Sequence, residues 1–163
     1  GRDLVKNRLI QQITKNRFAA NYKLTVGVDI LTKEVEIQLC EIVTLSIWDI
    51  GSQQRFDFIR SNFYKGAAGI ILIFDLSKEE TYIEVRNWFT EIFQITGYKP
   101  FLLIGINVNL LKQDDKMQIR EEVRELAKNE GGFFIETSPN GTAIVEDAIC
   151  RLTRRIIDLR SRN

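Results

Sequence analysis

The chain contains no histidine, and its only cysteines are Cys40 and Cys150. Without imidazole there is no His-based catalytic triad, and two thiolates make neither a tetrahedral zinc site nor a disulfide framework. Charge of either sign is not in excess. The 23 Lys and Arg against 22 Asp and Glu leave a net charge of +1, so bulk electrostatics direct the protein toward neither nucleic acid nor an acidic lipid surface. No window approaches the length of a membrane span, and no cysteine stands near the closing "LRSRN" to carry a prenyl group. These absences predict a cytoplasmic protein with no membrane segment or lipid anchor in this chain, and a monomer is expected. The chain opens on Gly1 rather than Met, which leads us to expect a domain incomplete at its N-terminus.

The 163 residues are 44% apolar and 28% charged, ordinary for one globular domain with a real core. Strand patterns alternate with helical ones, as in an α/β fold. Residues 4–18 place Leu4, Val5, Leu9, Ile10 and Ile13 at helical spacing. Residues 28–37 and 42–48 read as two strands of an antiparallel hairpin, although the turn lacks Asn-Gly. The runs "AGIILIFDL" (68–76) and "FLLIGI" (101–106) are near-continuously apolar, as strands buried on both faces of a parallel sheet must be. Between them Tyr82, Val85, Trp88, Phe89, Ile92 and Phe93 form one apolar helix face. A charged helix is predicted over 117–129, a strand over 132–137 and a final helix over 142–160, with Val145, Ala148, Ile149, Leu152, Ile156 and Ile157 turned inward. The expectation is one doubly wound domain, 1–163. In such sheets ligands bind beyond the carboxyl ends of the strands, so the loops after Asp49, Asp75, Ile106 and Thr137 are the ones to inspect.

Taken end to end, the chain resembles the Ras superfamily of small GTPases, most closely the Rab branch. "NYKLTVGVDILTKEV" looks like the first switch and its following strand. "IWDIGSQQRF" is similar to the family's W-D-T-A-G-Q-E-R-F. "SNFYKGAAGIILIFDLSKEETYIEVRNWF" follows the next strand and helix, "FLLIGINVNL" stands where the family has G-N-K-x-D-L, and "ETSPNGTAIVEDAI" stands where it has E-T-S-A-K. The resemblance implies a P-loop NTPase-like doubly wound sheet with helices on both faces, GTP or GDP with Mg²⁺ as cofactors, and effector or regulator proteins as partners. The family's first strand lies mid-sheet ahead of the phosphate loop, and this chain carries no such strand before Gly1. Either it was clipped or the sheet has a hole.

Residue by residue, the nucleotide site departs from the family. In the phosphate loop, Lys6 matches the Lys that bridges phosphates, and Asn7 falls on the Mg²⁺-binding Ser/Thr. Val5 replaces a glycine there and Asp3 adds negative charge. Read alone, Lys6 is a solvated helix lysine. Thr25 matches the Thr that binds Mg²⁺ in the first switch, and Asp49 the Asp that holds Mg²⁺ through water. Gln53 matches the catalytic Gln that orients attacking water, but Ser52 replaces the glycine whose N–H meets the γ-phosphate.

In the base motif N-K-x-D, Ile106, Asn107, Val108 and Asn109 take the four positions. Asn109 would set a donor against a guanine donor, which costs about 1–3 kcal/mol. Asparagine there suits a base such as xanthine. Ser138 keeps the Ser of S-A-K, while Pro139 removes the N–H that meets guanine O6.

Four drifted sites predict a pseudoGTPase, a binding module that keeps the fold and its effector-facing surface. The alternative is a working GTPase or altered-base NTPase using Lys6, Thr25, Asp49 and Gln53. The partner surface expected from the Rab branch holds Trp48, Phe56 and either Phe63 or Tyr64.

Overall fold

A computed structural model describes residues 6, 9–10, 13, 28–39, 41–50, 57–108, 117–138 and 140–162. Strands β1 (Val28–Gln38) and β2 (Glu41–Ile50) form an antiparallel hairpin. Along β1 every second residue from Leu31 to Ile37 is buried, so one face is solvated and the other packs inward. The register slips between Glu36 and Gln38, just before the turn; an irregularity of this kind adds twist and bends the strand.

Strands β3 (Ile70–Asp75), β4 (Phe101–Ile106) and β5 (Phe133–Glu136) form a separate parallel sheet in the order β3-β4-β5. Every residue of β4 is buried, as its unbroken apolar sequence requires of a central parallel strand. The helices are α1 (Asp57–Tyr64), α2 (Glu79–Thr96), α3 (Met117–Asn129) and α4 (Thr142–Arg160). Helix α2 ends where Gly97 takes a left-handed φ of 63° and its N–H donates to the Phe93 carbonyl at 3.0 Å, a conformation that glycine adopts without steric cost.

Two apolar clusters lie on the two faces of the parallel sheet. Tyr82, Val85 and Ile92 of α2 with Val123 and Ala127 of α3 cover Leu72, Phe74 and Leu103. Val145, Ala148, Ile149 and Leu152 of α4, with the helical residues Leu9 and Ile13, cover Leu102, Ile104 and Ile106. This is a mixed α/β architecture with helices on both faces, consistent with the P-loop NTPase-like fold expected.

Among the described residues β2 and β3 are not bonded to each other, so the strands form two sheets. The hairpin is held to the body by other means. Val35 and Ile37 join the cluster under α4. The buried Lys33 ammonium donates to the Ile13 carbonyl at 2.7 Å and to Glu146 Oε1 at 2.8 Å, and Arg154 Nε donates to the Ile37 carbonyl at 2.8 Å.

One element was not foreseen, helix α1. Its buried residues Arg60 and Tyr64 lie one helical turn apart, but arginine does not register in an apolar periodicity. It is buried here with its guanidinium 4.6 Å from the centre of the Trp88 ring, a cation–π contact that offsets its desolvation.

Candidate functional site

The strands β2, β3, β4 and β5 finish near Asp49, Asp75, Ile106 and Glu136, the end of an α/β sheet where ligands are held. Asp49 is buried, its side chain 4% exposed, because it points inward from the penultimate position of β2. The Lys6 ammonium meets its Oδ1 at 2.9 Å, with the lysine side chain 18% exposed. The sequence reading of Lys6 as a solvated helix lysine is therefore corrected. A buried carboxylate needs a partner of opposite charge, and Lys6 supplies it.

The second centre is Asp75, the last residue of β3 and 3% exposed. Its Oδ1 accepts from the Ser77 backbone N–H at 2.9 Å and from the Ser77 hydroxyl at 2.6 Å. Its Oδ2 accepts from the Asn107 side-chain amide at 3.0 Å. Asn107 is buried and has φ of 61°. Asparagine tolerates that left-handed conformation better than most residues because its short amide bonds locally, and here the Asp75 carboxylate receives it.

Thr137 continues the network. Its N–H donates to the Gly105 carbonyl at 2.8 Å, and its hydroxyl is within 3.0 Å of the Ser138 carbonyl and 3.2 Å of the Gly141 carbonyl. A Cβ at Gly141 would lie 2.1 Å from the Thr137 oxygen, so only glycine fits that turn. The Ser138 carbonyl also accepts from the Gly141 N–H at 3.0 Å.

Of the residues singled out from sequence, Lys6 and Asp49 are brought together, and Asn107 and Ser138 lie in the loops after β4 and β5. Asn7, Thr25, Ser52, Gln53 and Asn109 lie outside the described residues, as do Asp3, Val5, Phe56 and Pro139. Asp75 was read only as a strand end. Its signal, a carboxylate closing an otherwise apolar run two residues before a serine, matches a side chain that caps its own turn.

The fit to a guanine nucleotide differs between the two ends of the site. Lys6 and Asp49 place a cation and a carboxylate together, the groups that the resemblance assigns to phosphate and metal. At the base end the Asn107 amide is committed to Asp75 and is buried, and Asn109 and Pro139 lie outside the described residues.

A further feature lies on the outer face of the hairpin. Ile30 and Trp48 are cross-strand partners and are 60% and 46% exposed. The Trp48 ring centre lies 5.6 Å from that of half-buried Phe63, and the indole N–H donates to the Ser46 hydroxyl at 3.2 Å. Tyr64 is 3% exposed and belongs to the core, so of the two aromatics considered, Phe63 is the one on this patch.

Comparison with known proteins gives a consistent answer. The family model described as Ras family matches residues 2–158. The Ras-related protein Rab11D of Nicotiana tabacum is 30% identical over 155 residues, which span 94% of this chain and 68% of that protein. RABA6a of Arabidopsis thaliana is 30% identical over 151 residues, 93% of this chain and 64% of its own length. RABG3b of the same plant is 30% identical over 155 residues, 91% and 76%. The chain thus spans about two thirds to three quarters of the length of these relatives.

Proposed function

Because the chain belongs to the Ras family and its relatives are Rab proteins, we propose that it is a Rab-like pseudoGTPase. It binds effector or regulator proteins through the outer hairpin face and does not depend on a guanine nucleotide. The observation that carries the binding role is the exposed Ile30–Trp48 pair with Phe63 beside it. Clustered exposed aromatic and aliphatic side chains at one spot are what a binding anchor requires. The loss of nucleotide dependence is supported by the inward commitment of Asn107 to Asp75 and by the sequence changes at Val5, Ser52, Asn109 and Pro139.

In this reading the strand-end polar groups maintain the scaffold. Lys6 neutralises Asp49, and Asp75 fixes the two loops that end β3 and β4. The protein acts in the cytoplasm; no helix among the described residues is long and apolar enough to cross a membrane.

The test is partner capture with the I30S/W48S double variant alongside wild type, each with GDP, with GTP and with no nucleotide. The reading expects a protein set that is lost in the variant and indifferent to nucleotide. A set that changes with GTP and ignores the variant contradicts it.

The second reading, a working GTPase or altered-base NTPase that uses Lys6, Thr25, Asp49 and Gln53 with Mg²⁺, is favoured by one observation. Lys6, ahead of the hairpin in sequence, and Asp49, on its second strand, converge at 2.9 Å, which supports that reading.

A further inference from the structure

Cross-strand pairing in the hairpin runs from Ile30 opposite Trp48 to Gln38 opposite Glu41 beside the turn. Every second residue of both strands between those pairs is exposed, so the whole outer face is open. Apolar side chains stand at both of its ends. Ile30 and Trp48 hold one end, and at the other Leu39 is 96% exposed and Ile42 63%. Helix α4 holds the backbone just before the turn. Arg154 Nε donates to the Ile37 carbonyl at 2.8 Å, and the Cys150 thiol donates to the Glu36 carbonyl at 3.4 Å. Leu39 is thus carried outward on an anchored turn.

Between the apolar ends the charge has one sign. Glu34, Glu36 and Glu41 are exposed. The one lysine of the hairpin, Lys33, is buried on the opposite face, where it pairs with Glu146. Among the described residues no ion pair engages the three outward carboxylates. Glu34 and Glu36, two positions apart on one strand face, stand about 7 Å from each other. Like charges so placed repel, and a cation set against them relieves the repulsion.

These features together specify the occupant. Exposed apolar anchors at both ends supply contact area, and an acidic middle selects a partner of opposite charge and sets its orientation. From Ile30 to Gln38 the face runs about 27 Å at the rise of an antiparallel strand. An anionic lipid surface is a poor match, because the same carboxylates are repelled by it. A second copy of the chain is also a poor match. The basic side chains of α4 are already engaged, Arg151 lying 4.8 Å from the centre of the Phe133 ring and Arg154 bonded to Ile37.

We infer that the outer hairpin face takes a basic segment of a partner protein, about 27 Å long, with Lys or Arg between two apolar contacts. Leu39 and Ile42 make the second contact. This inference rests on the reading of the outer face as the binding surface; it adds the partner's chemistry and a second anchor.

The test is fluorescence anisotropy of the whole chain with a labelled probe, Leu-Ser-Leu-Ser-Lys-Ser-Lys-Ser-Lys-Leu-Leu, whose lysines repeat the spacing of the acidic positions. The inference expects saturable binding that weakens at least about tenfold in E34K/E36K/E41K and at least about fivefold in L39S/I42S. Raising NaCl from about 0.05 to 0.5 M should weaken it as well. The charge-reversed variant should instead bind a probe with Glu in place of Lys. The replaced side chains are all exposed, so each variant should keep the circular dichroism of wild type. Binding that survives both variants and is lost in I30S/W48S overturns the inference and leaves the outer-face reading standing. Binding that survives all three overturns both. Equal binding of a probe with Ser in place of every Leu overturns the two-anchor arrangement. Failure to saturate by about 1 mM probe overturns the inference, and partner capture then decides the outer-face reading by itself. Association with phosphatidylserine vesicles overturns the protein partner, as does a dimer that the charge reversal abolishes.

Discussion

At the end of β2, Lys6 and Asp49 meet 2.9 Å apart, with the lysine still partly open to water. At the end of β4, Asn107 turns inward and donates to Asp75 at 3.0 Å, both residues buried. Both arrangements satisfy a buried carboxylate, but by different chemistry. At the first, a flexible cation on a four-carbon stem faces the carboxylate, and such a contact opens by rotamer change alone. At the second, a left-handed backbone position, a capped turn and a neutral amide are locked together, and opening it disturbs three hydrogen bonds. The difference teaches that the Lys6–Asp49 contact can open without disturbing the backbone, whereas Asn107 and Asp75 are part of the structural interior.

The comparison can be tested by removing one member at a time. The largest loss is expected for D75A, which leaves the Ser77 and Asn107 donors without their acceptor. Hydrogen bonds to a buried charge are worth about 1.5–3 kcal/mol each, so we expect about 3 kcal/mol or more of lost stability in urea unfolding. A loss under about 1 kcal/mol would show that the base-side network is not structural.

K6M comes next, at about 2 kcal/mol, because the partner charge is lost but Lys6 is partly solvated. The same variant sharpens the functional contrast. It should leave nucleotide affinity unchanged, whereas a working GTPase would lose it.

N107A should cost about 1–2 kcal/mol through the missing amide and the strain of a left-handed alanine. N107G loses the same hydrogen bond yet accepts φ of 61° freely, so it should be more stable than N107A by about 1 kcal/mol. Equal stabilities would mean that the backbone conformation is not retained. The smallest effect is expected for R124A, whose guanidinium pairs with Glu121 at 2.8 Å and with Glu136 at 3.2 Å, because its side chain is 52% exposed and Arg120 also holds Glu136. Its loss should stay below about 0.5 kcal/mol and serves as the baseline for the other four.

The strand 101–106 and the helices 117–129 and 142–160 were legible residue for residue because burial on both faces, or on one helical stripe, leaves an unmixed apolar pattern. Helix α1 was not, because Arg60 occupies a core position through its aliphatic stem and its contact with Trp88. Lys6 was read as solvated because a lysine's own sequence neighbours do not reveal a carboxylate 43 positions away; only the fold brings Asp49 to it. For the same reason Asp75 looked like a strand end and not the centre of a network, since Asn107 reaches it from the loop after the neighbouring strand. The hairpin was visible in its alternation, and the separation of β2 from β3 into two sheets matches the mid-sheet gap expected where the family's first strand would lie.

The central claim, that this Ras-family domain no longer depends on a guanine nucleotide, is tested most directly by fluorescence titration with mant-labelled GTP, GDP and XTP, each with and without Mg²⁺. The account predicts that none of the three binds with submicromolar affinity. Submicromolar, Mg²⁺-dependent binding of any one of them would contradict it.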